Sequence, residues 1–315
     1  MLKRLLRPLA RPLISGVQAM LAGQLQDVRK RQTELALLLG RLHAARVRAL
    51  PDGAALRDAE FKVFSQFGED GIIQYLLSRI EVPEPYFVEF GVENYLEANT
   101  RFLLLNDNWS GLIMDGAESN MQQVRGEVLY WRQELHALAA FVTVENINEL
   151  LRKHVPSPEI GILSIDIDGN DYWVWQAVDA VRPRIVIAEY NSVFGPDLAV
   201  TIPYQADFER NRAHHSNLFW GASLSALCHL ASRKGYAFVG SNSAGNNAFF
   251  ARQDCAARLR PLSAAEGYVR SKFRESRNAA GELTYLSGEA RLPVIAQMTV
   301  HDVRSDRTVR LDELL

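Results

Sequence analysis

Apolar residues between positions 60 and 190 come in short continuous runs, separated by segments in which they recur every three or four residues. Continuous runs bounded by turn formers are typical of buried strands, and the three-to-four spacing is typical of amphipathic helices. The runs predict five strands, at 86–90, 111–114, 140–144, 160–167 and 184–189. Strands that alternate with helices predict a doubly wound parallel sheet with helices on both faces.

The alternation stops after the fifth strand. Residues 191–217 contain Gly195, Pro196 and Pro203 and show no periodicity, and a loop of this length in a compact domain usually serves as a lid or a binding loop. A helix is predicted at 223–234, followed by a hairpin of two strands at 236–240 and 248–252. We therefore expect a Rossmann-like domain at 58–252 and a C-terminal extension at 253–315.

Residues 1–50 have the pattern of a separate helical module. Leucines near the start form a stripe flanked by lysine and arginine, which predicts contact of residues 1–15 with an anionic membrane surface. Further along, apolar residues alternate three and four apart, as at the a and d positions of a coiled coil with one polar position: Leu25, Val28, Gln32, Leu35, Leu39 and Leu42. The pattern fits two structures equally, a coiled coil that joins copies of the chain through residues 17–49 and a helix packed on its own domain.

Composition narrows the class of protein. The chain has 315 residues, 48% of them hydrophobic, and a net charge of −2, which gives no reason to expect nucleic-acid binding. Two cysteines, Cys228 and Cys255, are too few for a disulfide framework or a CxxC metal site. No apolar run of membrane-spanning length is present. The expected location is the cytoplasm, with peripheral contact at the inner face of the membrane through the basic N-terminal stripe.

The end of the first strand indicates the kind of cofactor. Gly91 is the only glycine of the turn, and Glu93 and Glu97 follow it. A phosphate group needs a glycine-rich turn and is repelled by carboxylates. The turn therefore predicts a positively charged cofactor without phosphates, such as S-adenosylmethionine, with Glu89 binding its amino group directly or through water. The alternative is that Glu89 only caps the strand end.

An acid also ends the second strand. Asp115 is placed to accept hydrogen bonds from both ribose hydroxyls of an adenosine. The alternative is a turn aspartate in an Asp-Gly pair.

Strands four and five end on a cluster of oxygen donors. We expect Asp166 and Asp168 from strand four to meet Glu189 and Asn191 from strand five, as a site for Mg²⁺ or another divalent cation. Without a metal, one of these acids, Asp166 first, binds the substrate or acts as the general base. The pair His214 and His215 in the predicted lid is a second candidate base, or an ordinary part of a surface loop.

Three segments resemble the FkbM-type class I methyltransferases: 87–91, 163–171 and 246–250. The resemblance covers roughly residues 60–252. It implies a seven-stranded Rossmann-like sheet and transfer of a methyl group from S-adenosylmethionine to a hydroxyl of a sugar, a polysaccharide precursor or a natural product. It also implies that Glu89 and Gly91 border the methionine part of the cofactor, that Asp115 is the ribose acid and that Asp166 is the family's strand-four acid.

Two features depart from the family pattern. The turn after strand one has fewer glycines, and the segment 166–171 is more acidic and is similar by position to the metal sites of Mg²⁺-dependent O-methyltransferases. The alternative function is a non-catalytic assembly or membrane-tethered protein that retains the fold. The complete set of Glu89, Asp115, Asp166 and Asp168 favours the enzyme, with a small molecule or a glycan as the acceptor.

Overall fold

The computed structural model describes residues 2–315, with side chains described from Met20 onward except those of Ala22 and Gln26. The predicted contact of residues 1–15 with a membrane therefore falls outside the described side chains.

The α-helices α1 to α11 are, in order, Leu2–Arg48, Leu56–Ala59, Glu69–Leu77, Arg101–Asn106, Glu118–Gly126, Val128–Arg132, Ile147–His154, Asp171–Ala177, Arg210–Ala213, Leu224–Arg233 and Ala264–Gly267. The strands β1 to β10 are Tyr86–Phe90, Ser110–Asp115, Leu135–Ala139, Glu159–Ile165, Arg182–Glu189, Val200–Thr201, Tyr236–Ser241, Asn247–Arg252, Thr299–Asp302 and Arg307–Arg310.

Seven strands form one sheet in the order β3-β2-β1-β4-β5-β8-β7. β1 to β5 are parallel, and β8 runs antiparallel to both β5 and β7. The predicted seven-stranded, Rossmann-like sheet with a closing hairpin is confirmed. The central strands read as unbroken apolar runs because helices cover both of their faces, and two large apolar clusters lie on the two sides of the sheet.

Most strand bounds differ from the prediction by one or two residues, and the third strand differs most. The third strand lies at Leu135–Ala139 instead of 140–144. β3 is the edge strand, so its side chains alternate between buried and exposed and leave no continuous apolar run. The segment between β2 and β3 folds as two short helices, α5 and α6, because the chain is extended at Glu127.

The segment predicted as a lid packs against the C-terminal residues. β6 pairs with β9, and β9 pairs with β10, in a second sheet of three strands. Apolar side chains from both segments share one cluster, which includes Phe194, Ile202, Trp220, Ile295 and Val300. Residues 191–222 are therefore held at both ends by packed structure.

The C-terminal part of α1 packs on the domain that follows it. Ala44 and Val47 are buried in the core beside α3, and Leu37 packs against the same cluster. Gly40 lies so close to Phe102 that an added Cβ would sit 2.7 Å from the ring. From Leu37 to Val47, α1 is therefore a helix packed on its own domain, which is one of the two structures that fit the sequence pattern. None of the helices in the described part is long and apolar enough to cross a membrane.

Asp70, in the first turn of α3, organises the loop that precedes the helix. Its Oδ2 accepts hydrogen bonds from the backbone N–H groups of Val63, Phe64 and Ser65, at 2.7, 2.8 and 2.9 Å. Burial raises the pKa of this carboxyl to about 6 in spite of these donors. The loop leads into Gln66, which lines a cavity at the carboxyl edge of the sheet, so Asp70 positions one wall of that cavity.

Replacing Asp70 by alanine is expected to lower the free energy of unfolding by about 2–3 kcal/mol, because one buried and two partly buried backbone donors lose their acceptor. Urea denaturation measures this change. The matched control is Asp58→Ala, since the Asp58 side chain is 57% exposed, and its effect should stay within about 0.5 kcal/mol. Equal small effects of the two substitutions would show that the loop does not depend on Asp70.

Candidate active site

A cavity of about 470 Å³ opens at the carboxyl ends of β1, β2, β4 and β5. In an open α/β sheet this edge, where the strand order reverses, is where ligands bind. Its lining includes seven acids and one basic residue: Glu89, Glu93, Glu97, Asp115, Asp166, Asp168 and Glu189, with Arg210. The excess of carboxyl groups makes the cavity attractive to a cation and unfavourable for a phosphate.

Gly91 brings the turn after β1 into contact with the end of β4. Its φ is +71°, in the left-handed region, and a Cβ on this residue would lie 1.6 Å from the carbonyl oxygen of Asp166. Its N–H donates to the carbonyl of Met114, on β2, at 2.9 Å. The turn after β1 therefore closes tightly over the neighbouring strands, and only glycine fits at this point.

Glu89 is buried at the end of β1, and the protein itself satisfies most of its hydrogen-bonding capacity. Oε1 accepts from the N–H of Asn99 at 2.9 Å, and Oε2 accepts from the N–H and hydroxyl of Thr100 at 3.1 and 2.5 Å. Burial raises the pKa of Glu89. Glu89 thus anchors the segment before α4, as the structural alternative predicts, and it also lines the cavity. Its contact with a cofactor stays a prediction.

Asp115 is placed similarly at the end of β2. Its Oδ2 accepts from the N–H of Glu93 at 2.9 Å, and its Oδ1 accepts from the N–H of Ala117 and the amide of Asn120 at 2.8 and 2.9 Å. A carboxylate has about four acceptor positions, so one remains for a ligand hydroxyl. The carboxylate joins the turn after β1 to the turn after β2, on the rim of the cavity.

Asp166 and Glu189 face each other at the inner end of the cavity, between β4 and β5. Burial raises the pKa of each carboxyl well above its ordinary value, and repulsion from neighbouring acids raises both further. Oε2 of Glu189 is buried and has no hydrogen-bond partner among the described residues. A buried acceptor without a partner is costly, and a ligand with a hydrogen-bond donor would satisfy it.

The four oxygen donors predicted as metal ligands do not converge. Asn191 donates from its amide to the carbonyls of Leu218 and Trp220 at 2.9 and 3.0 Å, and its Oδ1 caps Val193. Asp168, with a φ of +56°, turns outward to accept from Arg210 at 3.0 Å. Among the side chains that the structure describes, no group of three or more histidine, cysteine or acidic residues is arranged to bind a metal ion.

The histidine pair lies away from the cavity. The rings of His214 and His215 are in contact, with centroids 4.1 Å apart and planes tilted by 37°, and Nδ1 of His214 lies 2.7 Å from the hydroxyl of Ser216. Burial lowers the pKa of His214. Neither residue belongs to the cavity lining; both follow α9 directly in the chain. The geometry gives the predicted role as the general base no support.

Several lining residues carried no signal in the sequence. Arg210 lies 4.6 Å from the centre of the Trp220 ring and donates to the carbonyl of Asn217 at 3.1 Å. Phe141, 53% exposed, lines the rim beside Asp115. Correct bounds for β3 would have placed Phe141 just after a strand, at the ligand-binding edge. Asn247 at the start of β8 also lines the cavity; the sequence marked it only as part of the segment 246–250 and gave it no role.

Comparisons with known proteins give weak similarities. No protein-family model and no curated protein matches the chain. The N-terminal domain of EvdMO1 with S-adenosylhomocysteine bound has 12% identity and a TM-score of 0.41, over 68% of this chain and 95% of that one. An O-methyltransferase from Bacillus cereus in complex with S-adenosylhomocysteine has 12% identity and a TM-score of 0.37, over 70% and 89%.

Human N-acetylserotonin methyltransferase in complex with S-adenosylmethionine has 11% identity and a TM-score of 0.34, over 59% of this chain and 56% of that one. Similarities at this level assign neither a family nor an activity. The function must therefore be inferred from the geometry of the cavity.

Proposed function

We propose that the protein is an S-adenosylmethionine-dependent O-methyltransferase of the FkbM type. The observation that carries the proposal is the acidic cavity at the switch point of the sheet, where a lone glycine turn and the acid at the end of β2 meet. The cavity suits a cofactor that carries positive charge and an adenosine but no phosphate. Bound there, S-adenosylmethionine supplies a methyl group on a sulfonium.

Each lining residue is assigned to a part of the cofactor according to its position along the cavity. Asp115 offers its remaining acceptor position to the ribose hydroxyls, and Phe141 provides an aromatic face for the adenine at the rim. Gly91 allows the backbone to approach the methionine portion closely, beside Glu89. The protein then holds the cofactor with the reactive methyl directed toward the inner end, where Asp166 and Glu189 lie.

We infer that the acceptor is a hydroxyl group, on a sugar, a polysaccharide precursor or a natural product. The inner end of the cavity presents carboxyl groups and the amide of Asn247, which suit hydrogen-bond donors such as a set of hydroxyls. Asp166 is the residue placed to take the hydroxyl proton as the oxygen attacks. Holding the two reactants in line supplies most of the acceleration. The mechanism uses no metal, because Asp168 and Asn191 are engaged elsewhere.

Calorimetric titration of the purified protein with S-adenosylmethionine and S-adenosylhomocysteine, with and without Mg²⁺, tests the proposal. We expect a dissociation constant in the micromolar range, about −8 kcal/mol, that does not change with Mg²⁺. Binding of S-adenosylmethionine that requires Mg²⁺ would show that the protein has a metal site after all. Absence of binding of either compound would favour the alternative, a non-catalytic assembly or membrane-tethered protein.

Asp115→Ala is expected to weaken binding of S-adenosylmethionine ten- to a hundredfold, since it removes a charged acceptor worth about 1.5–3 kcal/mol. The substitution also removes local hydrogen bonds, so Phe141→Ala provides an independent test at a side chain that is mostly exposed. Both variants are measured by calorimetry, with Glu118→Ala as the control on an exposed acid of α5. Unchanged affinity in both cavity variants would place the cofactor elsewhere.

A further inference from the structure

Helix α1 has two apolar faces, of which only one is covered by the protein's own domain. The covered face consists of Leu37, Gly40, Ala44 and Val47, which recur at intervals of three and four. The uncovered face consists of six large side chains that are between 51% and 69% exposed: Leu21, Leu25, Val28, Leu35, Leu39 and Leu42. We call the uncovered face, together with Gln32, the seam.

The two faces lie on opposite sides of the helix. With Leu25, Gln32 and Leu39 at heptad position a, the other seam residues fall at d, and all four covered residues fall at b or f. Positions b and f point away from the a/d side of a helix. A domain that packs on the b/f side of α1 therefore cannot also cover the seam of the same helix.

Half of the exposed large apolar side chains in the described part of the chain, eight of sixteen, lie on α1. Exposed apolar side chains scattered singly are normal, but a contiguous row of this kind marks an interaction site. A long helix also gains most of its stability from packing, and α1 extends well beyond the residues that its own domain contacts.

We propose that the seam binds the seam of a second copy of this chain, in a parallel two-stranded coiled coil. Twelve seam side chains at on the order of 100 Å² each bury about 1,200 Å², above the roughly 1,000 Å² that a specific interface needs. Parallel, in-register pairing places Gln32 opposite its own copy, where the two amides hydrogen-bond and fix the register. Antiparallel pairing would instead bury each Gln32 against an apolar d residue.

The flanking positions permit this arrangement. In a parallel pair, each g residue faces the e residue five positions further along the other helix. The facing pairs are Gln24 with Arg29, Arg31 with Ala36, and Leu38 with His43. None of them joins two like charges, and Leu38, itself 55% exposed, adds apolar area beside the seam. The b/f faces stay on the outside, and the domain comes beside the seam only near its C-terminal end, where the ring of His43 stacks on that of Phe61 with centroids 5.7 Å apart.

Sedimentation equilibrium on the full chain tests the proposal. We expect the native protein to be a dimer with a dissociation constant of about 1 µM or tighter. The variant Leu35→Glu/Leu39→Glu introduces charges at adjacent d and a positions and should weaken association by about a hundredfold or more. Met20→Glu is the matched control, since Met20 is 66% exposed but lies off the seam at position c, and it should leave association within about threefold of native.

Two further variants test the register. Gln32→Leu removes the only polar residue of the seam and should tighten association, whereas Leu35→Cys should form a disulfide between two copies under mild oxidation, because parallel d positions face each other. Met20→Cys should not. A native chain that stays monomeric, or a dimer that survives Leu35→Glu/Leu39→Glu, would overturn the proposal. So would a monomer that binds vesicles of anionic phospholipid through the same residues.

Discussion

Replacing Gly91 by alanine is expected to abolish binding of S-adenosylmethionine and to lower the free energy of unfolding by about 4 kcal/mol or more. A methyl group at this residue would lie 1.6 Å from the carbonyl oxygen of Asp166, so one of two buried strand ends must move. The φ of +71° adds a further cost of about 1–2 kcal/mol for any L side chain. Urea denaturation and calorimetry measure the two effects separately.

Gly195→Ala is the matched control for this substitution. Gly195 also has a positive φ, at +77°, but an added Cβ would meet nothing within 4 Å. Its cost should therefore be the backbone contribution alone, about 1–3 kcal/mol, since its φ of +77° and ψ of −177° lie in a region that is normal only for glycine; cofactor affinity should not change. If the two alanine variants lost equal stability and both still bound the cofactor, the close approach of β1 and β4 would not be what the site requires.

The strand pattern predicted the main sheet because strands that are buried on both faces are continuous apolar runs in the sequence. β1, β2, β4 and β5 are apolar nearly throughout, since helices cover them on each side. β3 left a weaker trace because an edge strand tolerates the exposed His136 between two buried residues. The apolar pattern predicts the strand at the residues that follow it, 140–144, instead.

The second sheet had no local signal. β6 consists of two residues, and it pairs with β9, about a hundred residues further along the chain. Segments this short carry almost no periodicity, and their pairing depends on contacts that are remote in sequence. The apolar cluster that joins residues 191–222 to the C-terminal segment shows the same dependence on tertiary packing.

The rule that parallel strands end at one edge of the sheet placed Glu89, Gly91, Asp115, Asp166 and Glu189 around one cavity. The rule does not say which acceptors the protein itself uses. The amide of Asn191 binds two carbonyls, and Asp168 receives Arg210 from α9. All three partners come from the segment after β5, whose conformation could not be predicted from the sequence, and the predicted metal ligands therefore do not converge.

Asp166→Asn is expected to lower turnover by about 10²–10⁴-fold, the usual contribution of a general base, while cofactor affinity changes by less than tenfold. Asparagine keeps the shape of the side chain and its contacts with the end of β4, but it cannot accept the proton of a hydroxyl. The measurement is release of S-adenosylhomocysteine in the presence of a panel of sugars and nucleotide sugars, together with calorimetry for the cofactor. Asp168→Asn, at a side chain that is 63% exposed and paired with Arg210, is the control and should retain turnover within about tenfold.

The substitution Asp166→Asn should also change the stability of the protein, and this effect can be measured without knowing the methyl acceptor. Burial and neighbouring acids raise the pKa of Asp166 in the folded protein, so the folded state binds this proton more tightly than the unfolded chain does. Stability is then lost as pH rises from the unfolded value through the raised one. Asparagine does not titrate, and Asp166→Asn should therefore raise the melting temperature more at pH 8 than at pH 5. If Asp166→Asn loses turnover but gains stability, Asp166 has a functional role, since replacing a merely structural residue would lower both turnover and stability. Full turnover in Asp166→Asn would show that Asp166 is not the general base.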